Sequence, residues 1–140
     1  MNRPRNAVLW LTVCILAALA IPASARGSGE AGGRISISEA SRLVEAGDAV
    51  FVDVRDEASY VTSHITGAIH IPYGEIRSRV SELTADGRTV IAYCSCPAEE
   101  TSLAAASDLV AAGFTNVRVL DGGIAAWAEA GLPLKQGPRP

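Results

Sequence analysis

Residues 90–112 constrain the fold of this chain more than any other stretch. They begin with an apolar run, residues 90–93 (VIAY), that is typical of a buried strand. The run breaks at residues 94–97 (CSCP), passes two glutamates and becomes an alanine-rich helical pattern that ends at Gly113. A strand, a tight loop and a helix in this order place a loop side chain at the carboxyl edge of a sheet. The N–H groups of the helix start then point at that side chain.

A thiol in such a loop is expected to be acidic, because the positive end of the helix dipole favours thiolate over thiol. Cys96 is therefore the candidate catalytic residue. Cys94 is either a resolving thiol for Cys96 or a thiol packed at the end of the strand. One C-x-C pair and two scattered histidines supply too few ligands for a metal site, so we predict neither a metal nor another cofactor.

The first 25 residues have the order of a secretory signal peptide. Arg3 and Arg5 precede an apolar run over residues 7–21, and residues 23–25 (ASA) form a small-residue cleavage site. The apolar run is shorter than the roughly 20 residues that span a bilayer comfortably. We therefore expect export to the periplasm or the exterior, with an uncleaved membrane anchor as the alternative. Cys14 is interpreted as an apolar residue of this segment.

The charge of the remaining chain excludes one class of partner. Residues 1–25 contain two of the 12 basic residues and none of the 15 acidic residues, so the remainder is acidic. It has no basic stripe for nucleic acid. After cleavage we expect no membrane partner either, and the sequence favours no particular oligomeric state. The two cysteines left, Cys94 and Cys96, are too close together to staple a fold, so this is not a disulfide scaffold.

The domain organisation follows from composition and periodicity. Residues 26–33 are a glycine-rich flexible linker, residues 34–135 a single domain and residues 136–140 a frayed tail. Within the domain, short apolar runs alternate with helical patterns, which implies an α/β fold with a central parallel sheet and helices on both faces. The pattern predicts strands at 35–37, 50–53, 68–71, 90–93 and 117–120, helices at 38–47, 56–61, 74–83, about 102–112 and 124–130, and a turn at 64–67.

Four stretches together resemble the rhodanese-like domain family, in the family's order. They are residues 51–55 (FVDVR), 64–72 (HITGAIHIP), 93–106, and 119–123 (VLDGG) followed by Trp127 and residues 131–133 (GLP). The resemblance implies the three-layer rhodanese-like fold. It also implies a sulfurtransferase, although the same fold carries inactive binding modules.

The resemblance also assigns roles to residues. The family's nucleophile follows a strand ending in Tyr and opens a loop whose amides surround an anion; counting back from Gly113 by the family's helix length selects Cys96. A local alternative makes Cys96 the N-cap and Pro97 the first helical residue. Asp53 and Arg55 match a structural pair, and His64 matches a turn residue with a structural role. The active-site loop residues implied are Pro97, Ala98, Glu99, Glu100, Thr101 and Ser102.

The loop departs from the family in its charge. Active thiosulfate enzymes usually carry a cation there, whereas this loop has no Lys or Arg and contains Glu99 and Glu100. We expect these carboxylates to raise the thiol pKa and repel a dianion, which makes thiosulfate a poor donor.

The function predicted is a sulfurtransferase that carries sulfane sulfur as a persulfide on Cys96. It would take sulfur from a small donor and pass it to a thiol acceptor, either a small molecule or a protein. Two alternatives remain: a thiol–disulfide protein that uses Cys94 and Cys96, and an inactive binding module.

Overall fold

The structure is a computed structural model that describes residues 32–140. The predicted signal peptide, residues 1–25, and all but the last two residues of the predicted linker lie outside the described residues. Within residues 32–140, each helix is too short or too polar to cross a membrane.

Most strands of this part of the chain belong to one parallel sheet. They are β1 (Gly33–Ile35), β2 (Ala49–Asp53), β3 (His64–Ile65), β4 (Ile69–His70), β5 (Thr89–Tyr93), β6 (Val117–Leu120) and β7 (Leu134–Lys135). The sheet has the order β1-β6-β5-β2-β4, and all its neighbours are parallel. In the centre, β2 and β5 are in register from Ala49 opposite Thr89 to Asp53 opposite Tyr93. The last residues of these two strands therefore share the carboxyl edge of the sheet.

The helices connect these strands and cover both faces of the sheet. They are α1 (Ile37–Glu45), α2 (Glu57–Thr62), α3 (Ile76–Arg79), α4 (Glu100–Ala111) and α5 (Gly123–Glu129). Adjacent strand residues point to opposite faces, so Val52 packs with Ile76 and Leu109, whereas Phe51 packs with Trp127. The rings of Phe51 and Trp127 meet edge to face, with centroids 5.0 Å apart. The predicted three-layer α/β fold is confirmed.

The start of the domain differs by a few residues from the prediction. The helix predicted from residue 38 begins one residue earlier, because Ser36 is the N-cap of α1 and its hydroxyl accepts the N–H of Glu39 at 3.3 Å. Ile37 is consequently the first helical residue and does not belong to the strand. The strand β1 in turn begins at Gly33, within the predicted linker.

Two other segments also depart from the expected pattern. Residues 64–67 were expected to form a turn, and Thr66 and Gly67 do so, but His64–Ile65 is strand β3, which pairs antiparallel with β7. This partner lies about 70 residues later, so local turn propensity could not reveal it. The predicted helix at 74–83 is divided into a 3-10 turn at Tyr73–Glu75, α3, and a second 3-10 turn at Val80–Glu82. Leu83 is buried with an extended backbone, which ends the helical stretch before it.

The end of the chain contacts the domain. The backbone N–H of Gly137, in the tail that was expected to fray, donates to the carbonyl oxygen of Val61 at 2.8 Å. This contact attaches the tail to the last turn of α2.

Candidate functional site

The candidate site is the loop between β5 and α4, at the carboxyl edge of the sheet. Strand β5 ends at Tyr93 and helix α4 begins at Glu100, so residues 94–99 form the loop. Both predicted helix starts were wrong: α4 begins neither near Ser102 nor at Pro97. Of the six predicted loop residues, Pro97, Ala98 and Glu99 lie in the loop, and Glu100, Thr101 and Ser102 form the first turn of α4.

Cys96 lies half-buried in this loop, opposite the first turn of α4. Its Sγ is 3.6 Å from Oγ1 of Thr101. Burial opposes ionisation, but hydrogen bonds from the Cys94 thiol and from the N–H and hydroxyl of Thr101 favour the thiolate. Together they hold the pKa of Cys96 below its ordinary value. The first N–H groups of a helix have no partner within the helix, so α4 has donors to offer.

Cys94 lies behind Cys96 in a different environment. It is only 2% exposed and packs in the core cluster that contains Leu109. Burial raises the pKa of its thiol, and the neighbouring Cys96 raises that pKa further. Its Sγ is 3.4 Å from Oγ of Ser102, whose hydroxyl donates to the carbonyl oxygen of Glu99 at 3.0 Å. Cys94 is therefore a protonated thiol beside an acidified one.

Glu99 does not act on the thiol as the sequence suggested. Its Oε2 accepts hydrogen bonds from Nε and Nη2 of Arg34 at 3.0 and 2.8 Å. Its Oε1 accepts the backbone N–H of Gly122 at 2.9 Å. The expectation that the loop carboxylates raise the pKa of Cys96 was wrong, because the pKa is lowered and the charge of Glu99 is paired with Arg34. Glu100 is exposed to solvent.

The surface of the loop around Cys96 is uncharged. Ser95, Pro97 and Ala98 are exposed and frame the half-buried Cys96. The sulfur is thus reachable from solvent past small side chains.

Asp53 and Arg55 lie at the end of the neighbouring strand and contact one another. The guanidinium of Arg55 forms a bidentate pair with the fully buried carboxylate of Asp53, with Nη2 2.5 Å from Oδ2. The same Nη2 donates to the carbonyl oxygen of Ser63 at 2.6 Å. The guanidinium carbon also lies 5.7 Å from the ring centroid of Tyr93. This pair braces the end of β2 against the residue that precedes Cys94, which is a supporting arrangement.

His64 is fully buried beneath this region. Its Nδ1 lies 2.8 Å from the carbonyl oxygen of Tyr60, and its ring stacks on the Tyr60 ring with centroids 3.9 Å apart. The other face of Tyr60 stacks on His70 at 4.4 Å. Because a carbonyl only accepts, Nδ1 of His64 carries a proton. Its polar contact is with backbone, as in a packed structural residue.

The turn between β6 and α5, together with the first residues of α5, contacts both ends of the cysteine loop. Gly122 and Gly123 both have positive φ, of 72° and 56°, a conformation that glycine adopts without steric cost. A Cβ on Gly123 would lie 2.3 Å from the carbonyl oxygen of Cys94, which accepts the N–H of Ile124 at 3.1 Å. The backbone of the cysteine loop thus rests directly on this turn. Within residues 32–140, no cluster of His, Cys, Asp and Glu is placed to hold a metal ion.

Two residues that contact the loop were not predicted from the sequence. Arg34 lies 65 residues before Glu99, and Gly122 lies 23 residues after it. The one available signal was an arginine at the start of the first predicted strand, and it says nothing about which loop that strand will adjoin.

The comparison with protein families decides the membership of this chain. A model of the rhodanese-like domain matches residues 36–130. The chain belongs to the rhodanese-like domain family. The resemblance inferred from the four sequence stretches is therefore confirmed.

Several relatives of this rhodanese-like chain have known names. It is 38% identical over 94 residues to a thiosulfate sulfurtransferase GlpE of Pseudomonas fluorescens. The matched region covers 67% of this chain and 83% of that protein. It is 37% identical over 99 residues to a sulfurtransferase of Allochromatium vinosum, with 71% and 90% covered. It is also 41% identical over 106 residues to an HTH-type transcriptional regulator of Mycobacterium tuberculosis. That match covers 74% of this chain but only 45% of the regulator, so it concerns one part of a longer protein.

Solved structures agree with the fold. The BH2092 protein of Bacillus halodurans superposes with a TM-score of 0.67 at 29% identity, and the match covers 75% of this chain and 77% of that chain. A thiosulfate sulfurtransferase of Pseudomonas aeruginosa gives a TM-score of 0.67 at 33% identity, over 76% of this chain and 21% of that one. Family and relatives together support a sulfurtransferase function.

Proposed function

We propose that this protein is a sulfurtransferase that carries sulfane sulfur as a persulfide on Cys96. The observation that carries the proposal is the half-exposed Cys96 thiol, whose pKa is lowered beside the start of α4. A thiolate is the nucleophile in sulfur chemistry, and backbone donors near it stabilise the charge that the sulfur carries. Sulfurtransferases among the relatives support the same assignment.

Transfer takes place in two substitutions at sulfur. In the first, the Cys96 thiolate attacks the outer sulfur of a persulfide donor, R–S–SH. The sulfur–sulfur bond of the donor breaks, R–S⁻ leaves and takes up a proton, and a new sulfur–sulfur bond forms on Cys96. In the second, an acceptor thiolate attacks the outer sulfur of the Cys96 persulfide. The acceptor leaves as a persulfide and Cys96 returns as a thiolate, so the protein undergoes no net oxidation.

The donor class follows from the cations near the loop. The loop itself contains no Lys or Arg. Arg34, which reaches the loop from β1, is engaged by Glu99 at 2.8 Å and lies 3.9 Å from Asp121. A dianion such as thiosulfate would therefore have to compete with carboxylates for this guanidinium. We propose a persulfide as the preferred donor and thiosulfate as a poor one, in contrast to the names of the GlpE relatives.

The test measures sulfur on the intact protein. The purified protein is incubated with the persulfide of an uncharged thiol or with thiosulfate, and its mass is followed over time. We expect one added sulfur atom from the persulfide, and uptake from thiosulfate about tenfold slower or more. Cys96→Ser should gain no sulfur, whereas the matched control Cys94→Ser should still gain it.

Two outcomes would contradict the proposal. Wild-type protein that gains no sulfur from either donor would be a binding module instead. Equal rates with thiosulfate and the persulfide would overturn the donor assignment and leave the sulfurtransferase standing.

A thiol–disulfide function is the second candidate, because one residue separates Cys94 from Cys96 and the two thiols shift each other's pKa in opposite directions. Cys96 would attack a substrate disulfide, and Cys94 would then displace the mixed disulfide. The substrate would be reduced to two thiols while Cys94 and Cys96 become a disulfide. Cys94→Ser distinguishes the two functions, because it abolishes this reaction and spares sulfur transfer.

We also propose that the protein acts outside the cytoplasm, on the strength of the order of residues 1–25. Expression of the full chain in a bacterial host, followed by fractionation and N-terminal sequencing, tests this. We expect a mature N-terminus at Arg26 in the exported fraction. An intact N-terminus in the membrane fraction would favour the anchor instead.

A further inference from the structure

Glu99 has a backbone conformation that its residue type disfavours. Its φ and ψ are 52° and 23°, in the left-handed region. Asp86 is the other non-glycine residue with positive φ within residues 32–140, and Asp tolerates this region better than Glu does. Glycine would adopt the conformation of Glu99 without cost. The backbone alone therefore does not explain why a glutamate occupies this position.

The carboxylate of Glu99 is buried and fully engaged. Glu99 is 4% exposed, although both its sequence neighbours are exposed. One carboxylate oxygen accepts two hydrogen bonds from Arg34, and the other accepts the N–H of Gly122. Hydrogen bonds from Arg34 lower the pKa of Glu99, so the carboxylate stays ionised at neutral pH. A buried charge with three donors is costly to disturb, because removing a partner leaves the charge unpaired.

These contacts connect three segments around the loop. Arg34 belongs to β1, Gly122 to the turn before α5, and Glu99 to the end of the cysteine loop. The N–H of Glu99 also donates to the carbonyl oxygen of Cys96 at 3.2 Å, which closes the loop as a tight turn. The other end of the loop rests on the first turn of α5, where the carbonyl oxygen of Cys94 accepts the N–H of Ile124. Both ends of the loop are thus attached to residues around the start of α5.

We propose that Glu99 is a positioning residue, which holds the end of the Cys96 loop and the start of α4 against β1 and the turn before α5 through its ion pair with Arg34 and its hydrogen bond from Gly122. It acts through the loop and does not touch the sulfur being transferred. This role rests on the proposed function of Cys96 as the sulfur carrier. This role also explains why the carboxylate of Glu99 is tolerated near the Cys96 thiolate, since the carboxylate forms an ion pair with Arg34.

The test compares three variants of the two side chains. Glu99→Gly removes both contacts but suits the left-handed backbone. Glu99→Gln keeps an acceptor for Gly122 and loses the ion pair. Arg34→Met leaves the carboxylate buried without its cation. The matched control is Asp108→Asn, which breaks another carboxylate–arginine pair on α4, with Arg77 at 2.8 Å, away from the loop.

Two readouts are used: the pH dependence of Cys96 alkylation, located by peptide mass, and the rate of sulfur uptake from a persulfide. We expect Glu99→Gly to shift alkylation towards the pH of an ordinary thiol and to slow uptake by about tenfold to a hundredfold. Glu99→Gln should restore part of both, because its amide oxygen still accepts the Gly122 N–H. The double variant of Arg34→Met and Glu99→Gln should be no worse than Arg34→Met, because the pair acts as a unit. Asp108→Asn should match the wild type.

A wild-type alkylation profile and uptake rate in Glu99→Gly would overturn the proposal, since a residue needed for its backbone alone is replaced by glycine without loss. If Glu99→Gly does not fold, Glu99→Gln and Arg34→Met decide by the same readouts. Wild-type protein that takes up no sulfur would refute the proposed function instead. The alkylation profiles would then still decide whether Glu99 positions the thiol.

Discussion

Two strand-to-helix junctions at the same edge of the sheet are built in opposite ways. After β2, the chain passes to α2 through Asp56, whose carboxylate accepts the N–H of Ser59 at 2.9 Å and its hydroxyl at 2.8 Å. This is an ordinary N-cap, in which the residue before the helix satisfies a free N–H of the first turn. The N–H and the hydroxyl of Ser59 are therefore already bonded to Asp56 and do not face a ligand.

The junction after β5 lacks a side-chain N-cap. The residue before α4, Glu99, makes no side-chain cap hydrogen bond and turns its carboxylate to Arg34 and Gly122. The N–H of Thr101 is then available to Cys96. The acid that could cap α4 is thus held by Arg34 and Gly122, and it leaves the first N–H groups of the helix without a side-chain cap.

The largest expected effect separates the two cysteines of the uncapped junction. With iodoacetamide at neutral pH, Cys96 should react roughly a hundredfold faster than Cys94, whose thiol is protonated and reached only when the structure opens. Because the pKa of Cys96 is lowered, the pH at which its alkylation rate is half-maximal should lie below the ordinary thiol pKa of about 8.5. Peptide mapping of the alkylated protein measures both. Equal labelling of the two thiols would contradict the comparison.

Next in size is an effect on stability at the turn on which the cysteine loop rests. Gly123→Ala would place a Cβ 2.3 Å from the carbonyl oxygen of Cys94, at a φ of 56°. We expect a loss of about 2 to 4 kcal/mol in the free energy of unfolding, measured by urea denaturation.

The matched control for this variant is Gly131→Ala, which has a similar φ of 69° but nothing within 4 Å of the new Cβ. It should lose about 1 kcal/mol, the cost of the backbone conformation alone. Equal losses for the two variants would mean that the contact with the loop does not matter.

A smaller effect is expected at the first turn of α4. Thr101→Val removes the hydroxyl near Cys96 and keeps the backbone N–H. It should raise the pKa of Cys96 by about one unit or less, the range for a single hydrogen bond. Thr101→Ser, which retains the hydroxyl, is the control and should leave the alkylation profile in place. A shift in Thr101→Ser as large as that in Thr101→Val would attribute the effect to packing.

The smallest effect belongs to the capped junction. Asp56→Ala should lower the Tm by a few degrees and leave Cys96 alkylation unchanged. Hydrogen bonds from the N–H and hydroxyl of Ser59 lower the pKa of Asp56. Its contribution to stability is therefore present above the ordinary Asp value of about 3.9 and is lost as the pH falls through the lower folded pKa. The Tm difference should shrink in acid, and a change in Cys96 reactivity would contradict the separation of the two junctions.

The accuracy of the sequence-based predictions differs between elements of the fold. The central strands β2, β5 and β6 were predicted nearly to the residue, because buried parallel strands are continuous apolar runs. The helix predicted at 56–61 is α2, shifted by one residue, because its N-cap Asp56 acts on neighbouring residues. The start of α4 was wrong in both versions, because a left-handed glutamate is set by contacts with distant segments.

The sequence alone determined the α/β fold, the family, and the two cysteines between a strand and a helix, since each depends on local periodicity or on a motif of adjacent residues. The tertiary structure decided the electrostatics. It brought Arg34 from 65 residues away to pair with Glu99, and it placed the first turn of α4 beside Cys96, where hydrogen bonds from Thr101 lower the pKa of the thiol. Charge acts through space and depends on burial, so its effect could be assigned only after the strands had placed both side chains.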